Sequence, residues 1–331
     1  RGNPGAGTPE YGRTCMTTLF YLLGYLGVIG FAVTSFLKIK KYVKTTPLHC
    51  RWEIYPIPHE GARAKHGGSY MEESNWWTKE HHVDHMGDLK ALLMEVLFLE
   101  STFHNNRTLW YRTYPFHFGL YMLMGGAIIL FITAFLRLFG MSADNGLISF
   151  IYWLINVMSL LGCIGLIGGG IGLIFRRMTD KGLRMYTTTE HLLSIGLFVL
   201  FGVTGLAVWC TNPSFAPIAS DYMYNLVTFK IFTPLQSGGF CLHMLVGDAL
   251  LILIPVSFMS HILLKYFFYH DIRWEDVATP RSTKIQGKIL NALKVHCNWA
   301  APHINPEQDP NKTWVDVATT GYPCQDNADK K

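Results

Sequence analysis

GFCLHMLVGDALLILIPVSFMSHILLKYFFY, residues 239–269, decides the fold: from Phe240 to Tyr269 it is long and apolar enough to cross a bilayer, and it carries a histidine near each end. His243 and His261 are 18 residues apart. That spacing predicts about five turns of one helix, with both imidazoles on the same face and roughly 27 Å of rise between them. One helix face would then serve both halves of the membrane. A histidine at hydrocarbon depth is costly without a partner. Haem iron is one such partner, since it takes neutral imidazole from a helix on each side. A hydrogen bond from each interfacial histidine to a neighbouring helix is the other.

Around this stretch the composition sets the class. Half of the 331 residues are hydrophobic, 15% are charged, and the apolar residues come in blocks, so the sequence predicts an integral membrane protein. The seven cysteines (Cys15, Cys50, Cys163, Cys210, Cys241, Cys297 and Cys324) form no CxxC pair and no CxxCH. That argues against a c-type haem, an iron–sulfur cluster of standard spacing and a zinc finger in this chain. Cys210 and Cys241 bracket one loop and would be able to pair outside the cytoplasm.

Five spans are expected in an all-α bundle. After a polar start (residues 1–16), the first runs over 17–37, TTLFYLLGYLGVIGFAVTSFL, and stops at Lys38, Lys40, Lys41 and Lys44. A polar loop, 38–113, is rich in histidine and tryptophan and ends in an amphipathic helix over 89–103. The second span, 114–138, opens on Pro115-Phe116-His117-Phe118-Gly119, with the proline read as a helix start. The third covers 147–175, where CIGLIGGGIG suits close helix approach or room for a flat ligand. The fourth, 188–209, begins with Glu190-His191. A loop over 210–239 leads into the fifth span, 240–269, and a polar tail with little regular structure, 270–331, follows.

Basic residues pile up on one side: Lys38 to Lys44, Arg107, Arg112, Arg176, Arg177, Lys181, Arg184, Lys265, Arg273, Arg281 and Lys284. The other side has Arg13, Arg137 and Lys230. The positive-inside bias therefore predicts a multi-pass protein of the cytoplasmic membrane, N-terminus outside and C-terminus cytoplasmic. The net charge of +5 reads as this topology signal rather than as a nucleic-acid surface. His117, His191 and His261 then lie in the cytoplasmic half and His243 in the outer half. His117 with His261 is the preferred axial pair for an inner haem b; His191 is the competitor, with an interfacial cap, a haem-propionate, quinone or proton role as its alternatives. No second histidine is available to His243 in the outer half. Either there is one haem, or a second uses a methionine such as Met124, another subunit's ligand or an open position.

Two stretches resemble a known family. MEVLFLESTFHNNRTLWYRTYPFHFGLY (Met94 to Tyr121) and the last span with its 18-residue histidine spacing resemble the gamma subunit of respiratory nitrate reductase, over roughly residues 88–285. The tail WAAPHINPEQDPNKTWVDVAT (Trp299 to Thr319) is similar to cytochrome b subunits of sulfur and sulfate metabolism that pair with heterodisulfide-reductase-like iron–sulfur proteins. The resemblance implies a five-helix, quinol-reactive cytochrome b of anaerobic respiration, exchanging electrons between menaquinone or another quinone and a cytoplasmic iron–sulfur partner, with further membrane or extracytoplasmic subunits possible. It implies that His117, His243 and His261 match three of four family ligand positions. Ten residues after His117, where the family has its outer histidine, this chain has Ala127.

Other groups have competing readings. His81, His82 and His85 with Asp84 and Asp88 fit either a zinc or copper site or a solvated docking surface. Asp248 in the outer half is either a proton acceptor at a quinone site or a structural hydrogen-bonding group. The tail, short of apolar periodicity, is expected to gain order on the iron–sulfur partner. As a whole the chain reads as the quinone-reactive electron-transfer subunit of an oxidoreductase complex, with a haem-free membrane anchor as the alternative.

Overall fold

The computed structural model describes residues 8–44, 60–61, 73–80, 82–142, 144–212, 215–234, 237–261, 263–264 and 283–319. Among them the chain is helical, without a strand beyond two isolated bridges. Five helices are long and apolar enough to cross a membrane. In chain order the helices are α1 (Thr8–Lys44), α2 (His85–Phe98), α3 (Glu100–Asn105), α4 (Arg107–Leu138), α5 (Gly146–Thr179), α6 (Lys181–Met185), α7 (Thr189–Thr211), α8 (Phe215–Val227), α9 (Gly238–Val256), α10 (Thr283–Leu293) and α11 (Trp314–Thr319). Two compact units divide them: residues 1–38 with 90–263, and residues 39–89 with 264–331.

The starts of the long helices are set locally. Asn106, Asn145 and Ser237 each accept a hydrogen bond from a backbone N–H of the first turn, at 3.0, 2.9 and 3.3 Å, satisfying donors that a helix leaves unpaired. Inside the first unit, glycines fix how closely α4 and α5 approach. A Cβ on Gly119 would stand 2.6 Å from the Leu166 nitrogen, and one on Gly165 would stand 2.7 Å from the Pro115 oxygen. A Cβ on Gly169 would collide with the Phe116 backbone. The two backbones therefore touch along the turn that carries His117. A core of Phe116, Leu166, Ile195, Phe198, Leu250 and Met259 closes around that contact. Outward-facing Leu26, Phe36, Phe131, Ile164 and Phe175 remain exposed, as a bilayer-facing surface requires.

The second core of this unit joins Tyr21 of α1 to Ile155, Val208, Phe215, Ala219, Tyr222 and Phe240. Here α8 fills the segment read from sequence as a loop over 210–239. Arg137 at the end of α4 pairs with Asp221 of α8 at 2.8 Å, donates to Ser220 at 3.0 Å and stacks over Tyr224.

Other boundaries differ from the sequence reading. Pro115 lies inside α4 rather than at its start, because the helix begins eight residues earlier at Arg107. The amphipathic segment expected over 89–103 is two helices, separated where Leu99 takes a left-handed conformation (φ 53°). The largest departure concerns the last span: α9 ends at Val256, Ser257 is extended, Phe258–Ser260 is a single 3₁₀ turn, and His261 follows it. Pro255 has no N–H for the ladder and its ring crowds the preceding turn. The inference that one continuous helix puts His243 and His261 on a common face therefore does not hold. Residues 265–269 of that stretch lie outside the described residues.

In the second unit, α10 and α11 lie in the tail read as irregular. His296 pairs with Thr313 across an isolated bridge, and the rings of Trp299 and Trp314 approach to 6.0 Å.

Candidate functional site

The first unit brings His117 and His261 together. Their ring centroids are 6.2 Å apart and the planes are inclined at 54°. His117 Nδ1 is 2.8 Å from the carbonyl oxygen of Thr113, one turn earlier in α4. His261 Nδ1 is 3.2 Å from the carbonyl oxygen of Phe258. A carbonyl oxygen only accepts, so each Nδ1 carries a proton, and in the neutral form of either ring the lone pair is on Nε2. Tying one ring nitrogen to the backbone in this way is what orients a metal-ligating imidazole.

The spacing permits a direct test of fit. Two imidazoles on opposite sides of one metal ion, each bonded at about 2.0 Å, have ring centroids roughly 6.3 Å apart. The observed 6.2 Å is compatible with that. Tyr121 flanks His117, its ring centroid 6.3 Å away, and its hydroxyl donates to the carbonyl of Val96 in α2. Phe116, 3% exposed, turns the other way into the α5–α7 core, so the helix presents adjacent residues to two different environments.

His191 stands differently. It is the third residue of α7, and its Nδ1 accepts a hydrogen bond from the Thr188 backbone N–H at 3.1 Å while the Thr188 hydroxyl caps the helix in return. In a neutral ring this places the proton on Nε2, the reverse of the tautomer at His117 and His261. The neighbouring ring is Phe258, at 4.7 Å, and Glu190 accepts from the Phe258 backbone N–H at 3.3 Å. His191 and Glu190 thus hold the segment leading to His261.

His243 is 7% exposed and enclosed by α5 and α7. Its ring stacks on Phe201 at 4.3 Å, its Nδ1 lies 3.1 Å from the Thr204 hydroxyl, and its Cε1 would be 2.9 Å from a Cβ on Gly205, as would the Cys163 sulfur. Among the described residues the ring facing His243 is a phenyl, not a second imidazole. Met124 is 46% exposed on α4, and Ala127 is exposed as well. Among the described residues, no second imidazole is placed against His243.

Asp248 points elsewhere. Its Oδ1 would stand 2.9 Å from a Cβ on Gly27, so it faces α1 rather than sharing a site with His243. One turn along α1, the Tyr222 hydroxyl would stand 2.5 Å from a Cβ on Gly24. Tyr222 is 3% exposed, and among the described residues its hydroxyl has no hydrogen-bond partner. Burial pushes this phenol above its ordinary range, so it stays protonated. Two oxygen groups from two helices thus meet one glycine-lined face. Sequence alone does not single out Tyr222, because residues 210–239 read as a loop rather than as α8; the signal is the Gly24, Gly27, Gly30 spacing in the first span.

Of the histidine cluster before α2, His82 and His85 are exposed, and His81 lies outside the described residues. Among the described residues no group of three or more histidine, cysteine or acidic side chains is placed to hold a metal ion. A two-histidine axial pair is not such a group.

Comparison with known proteins gives a match to a family model. The family model described as "Nitrate reductase gamma subunit" matches residues 98–275, more than half of the chain, and that range contains His117, His191, His243, Asp248 and His261. No curated protein and no solved structure matches.

Proposed function

Since the chain belongs to the nitrate reductase gamma subunit family, we propose that it is the membrane cytochrome b subunit of a respiratory redox complex, passing electrons between the quinone pool and a cytoplasmic iron–sulfur subunit through haem b. The observation that carries this reading is the His117–His261 pair, with both Nδ1 atoms held by carbonyls and the rings at the separation an axial pair needs. When bound, haem b supplies a one-electron relay at that position. His117 and His261 would hold the iron through Nε2, with the carbonyls of Thr113 and Phe258 fixing the ring orientations.

On the quinone side we assign Asp248 as the proton-accepting group and Tyr222 as a hydrogen-bond donor to a quinone oxygen, both against the glycine face of α1. A quinol must lose protons as it is oxidised, and a buried carboxylate at hydrocarbon depth is a functional group by default. For the iron–sulfur partner, the tail's likeness favours the heterodisulfide-reductase-like kind, and half-exposed Trp299 offers it an aromatic anchor.

The reading is tested by a dithionite-reduced spectrum and a pyridine haemochrome assay on the purified chain. Material without haem b would leave only a haem-free anchor. Redox titration is expected to resolve one b-type component, because among the described residues no second imidazole faces His243. A His243→Ala variant should keep that component in full while losing about 2 kcal/mol of stability from the stranded Thr204 hydroxyl and the cavity left. Loss of haem in that variant would assign His243 to a second centre.

Asp248→Asn separates proton transfer from electron transfer. It should preserve haem content and slow haem reduction by a quinol analogue about 100-fold, as loss of a general base does. An unchanged rate would remove Asp248 from the quinone site.

A further inference from the structure

Between Val256 and His261 the backbone leaves the α-helical ladder. Its last regular bond runs from the Ser257 nitrogen to the Leu253 oxygen at 3.0 Å, and the next turn is closed by Ser260 donating to the Ser257 oxygen at 3.2 Å. A helix end of this kind exposes carbonyl groups that need donors. No glycine in a left-handed conformation supplies the usual closure here. Instead a cation arrives from a helix more than two hundred residues away. Lys38 Nζ donates to the Pro255 oxygen at 2.9 Å, to the Ser260 hydroxyl at 2.7 Å and, at 3.5 Å, to the Ser257 oxygen. An ammonium has three protons, and these acceptors take them. The charge also sits at the negative end of α9, where a cation is favoured.

The opposite side of the same short segment is held by a carboxylate, Glu190 accepting from the Phe258 nitrogen at 3.3 Å. Ser257, Met259 and Ser260 are buried between these restraints. The carbonyl that orients the His261 ring belongs to Phe258, within the segment so clamped. Contacts thus run without a gap from Lys38, through residues 255–260, to the imidazole of His261.

We infer that Lys38 is a positioning residue for His261: its ammonium clamps the break after α9 and so fixes the approach of that imidazole to His117. The inference rests on the reading of His117 and His261 as an axial pair. It gives Lys38 a second effect, because a fixed positive charge near a redox centre favours the reduced state and raises its potential.

The experiment uses full-length protein in detergent, comparing wild type with Lys38→Met, Lys38→Arg, Ser260→Ala and His261→Ala. Methionine keeps the length of the stem and removes the donors and the charge. It should weaken apparent haem affinity about tenfold, as loss of a partner that orients a ligand does. It should also shift the low-spin electron paramagnetic resonance g-values and lower the midpoint potential. Arginine should restore the potential and most of the haem, since it keeps the charge and several donors. Ser260→Ala, which deletes one acceptor and little volume, should move the g-values in the same direction by less. That smaller variant decides the matter if Lys38→Met does not fold. Wild-type g-values and potential in both Lys38→Met and Ser260→Ala, alongside haem loss in His261→Ala, would overturn the clamp while leaving the axial pair standing. Wild-type protein without haem, or His261→Ala with full haem, would instead overturn the axial-pair reading and the clamp with it.

Discussion

Alanine at His117, or at His261, is expected to abolish the low-spin b-type spectrum of the purified protein outright. On the proposed reading each ring would supply one of two ligands, and His191 is no ready substitute, because its Nδ1 is spent on the Thr188 cap. The more telling variant is His261→Met. A thioether in place of one imidazole should retain bound haem and move its midpoint potential upward, as a methionine ligand does. A merely structural histidine would give no such shift. Full haem content in His117→Ala, together with its loss in His191→Ala, would transfer the ligand role to α7.

The second large effect is expected at a residue with no chemistry. Gly169→Val places a branched side chain where the backbone of Phe116 already stands. No rotamer relieves that contact, because the obstacle is main chain on both sides, so α4 must move away from α5. Overpacking of this kind costs about 3 kcal/mol. Phe116 is the residue before His117, and the displacement therefore reaches the ligand directly. Thermal unfolding followed by circular dichroism should show a lower midpoint, and haem should be lost at temperatures below it. Gly168→Val is the control: a Cβ there meets nothing within 4 Å. Equal behaviour of the two variants would refute the close-approach argument.

These two cases mark what the sequence made legible. Five blocks of apolar residues announce five spanning helices because hydrocarbon leaves a backbone no other way to satisfy its polar groups. His117 and His261 were legible for a related reason, as each is an imidazole inside such a block. The glycine run of α5 was readable as a close contact, although not which turn of α4 it would meet. Proline was the weaker guide. Pro115 read as a helix start, yet a membrane helix tolerates it internally when neighbours cover the carbonyl it leaves. Pro255 was passed over inside an apolar run, yet there the chain does break, with Ser257 and Ser260 offering the hydroxyls that make a break tolerable. That His243 and Asp248 face different helices is legible in arithmetic: five residues on a helix turn the side chain by about 140°, which sends one group to α5 and α7 and the other to α1.

The break after Val256 alters how the two ends of this last segment influence each other. Along an unbroken helix, every residue gained or lost rotates all that follows by about 100°. Even slight unwinding accumulates over several turns. Ser257 interrupts that register: directions up to Val256 refer to one axis, while His261 takes its bearing from the pinned carbonyl of Phe258. Torsion near His243 is therefore not delivered as rotation at His261. The two histidines are joined by covalent chain and separated as mechanical parts, so each end can be retuned by substitution while the other keeps its aim.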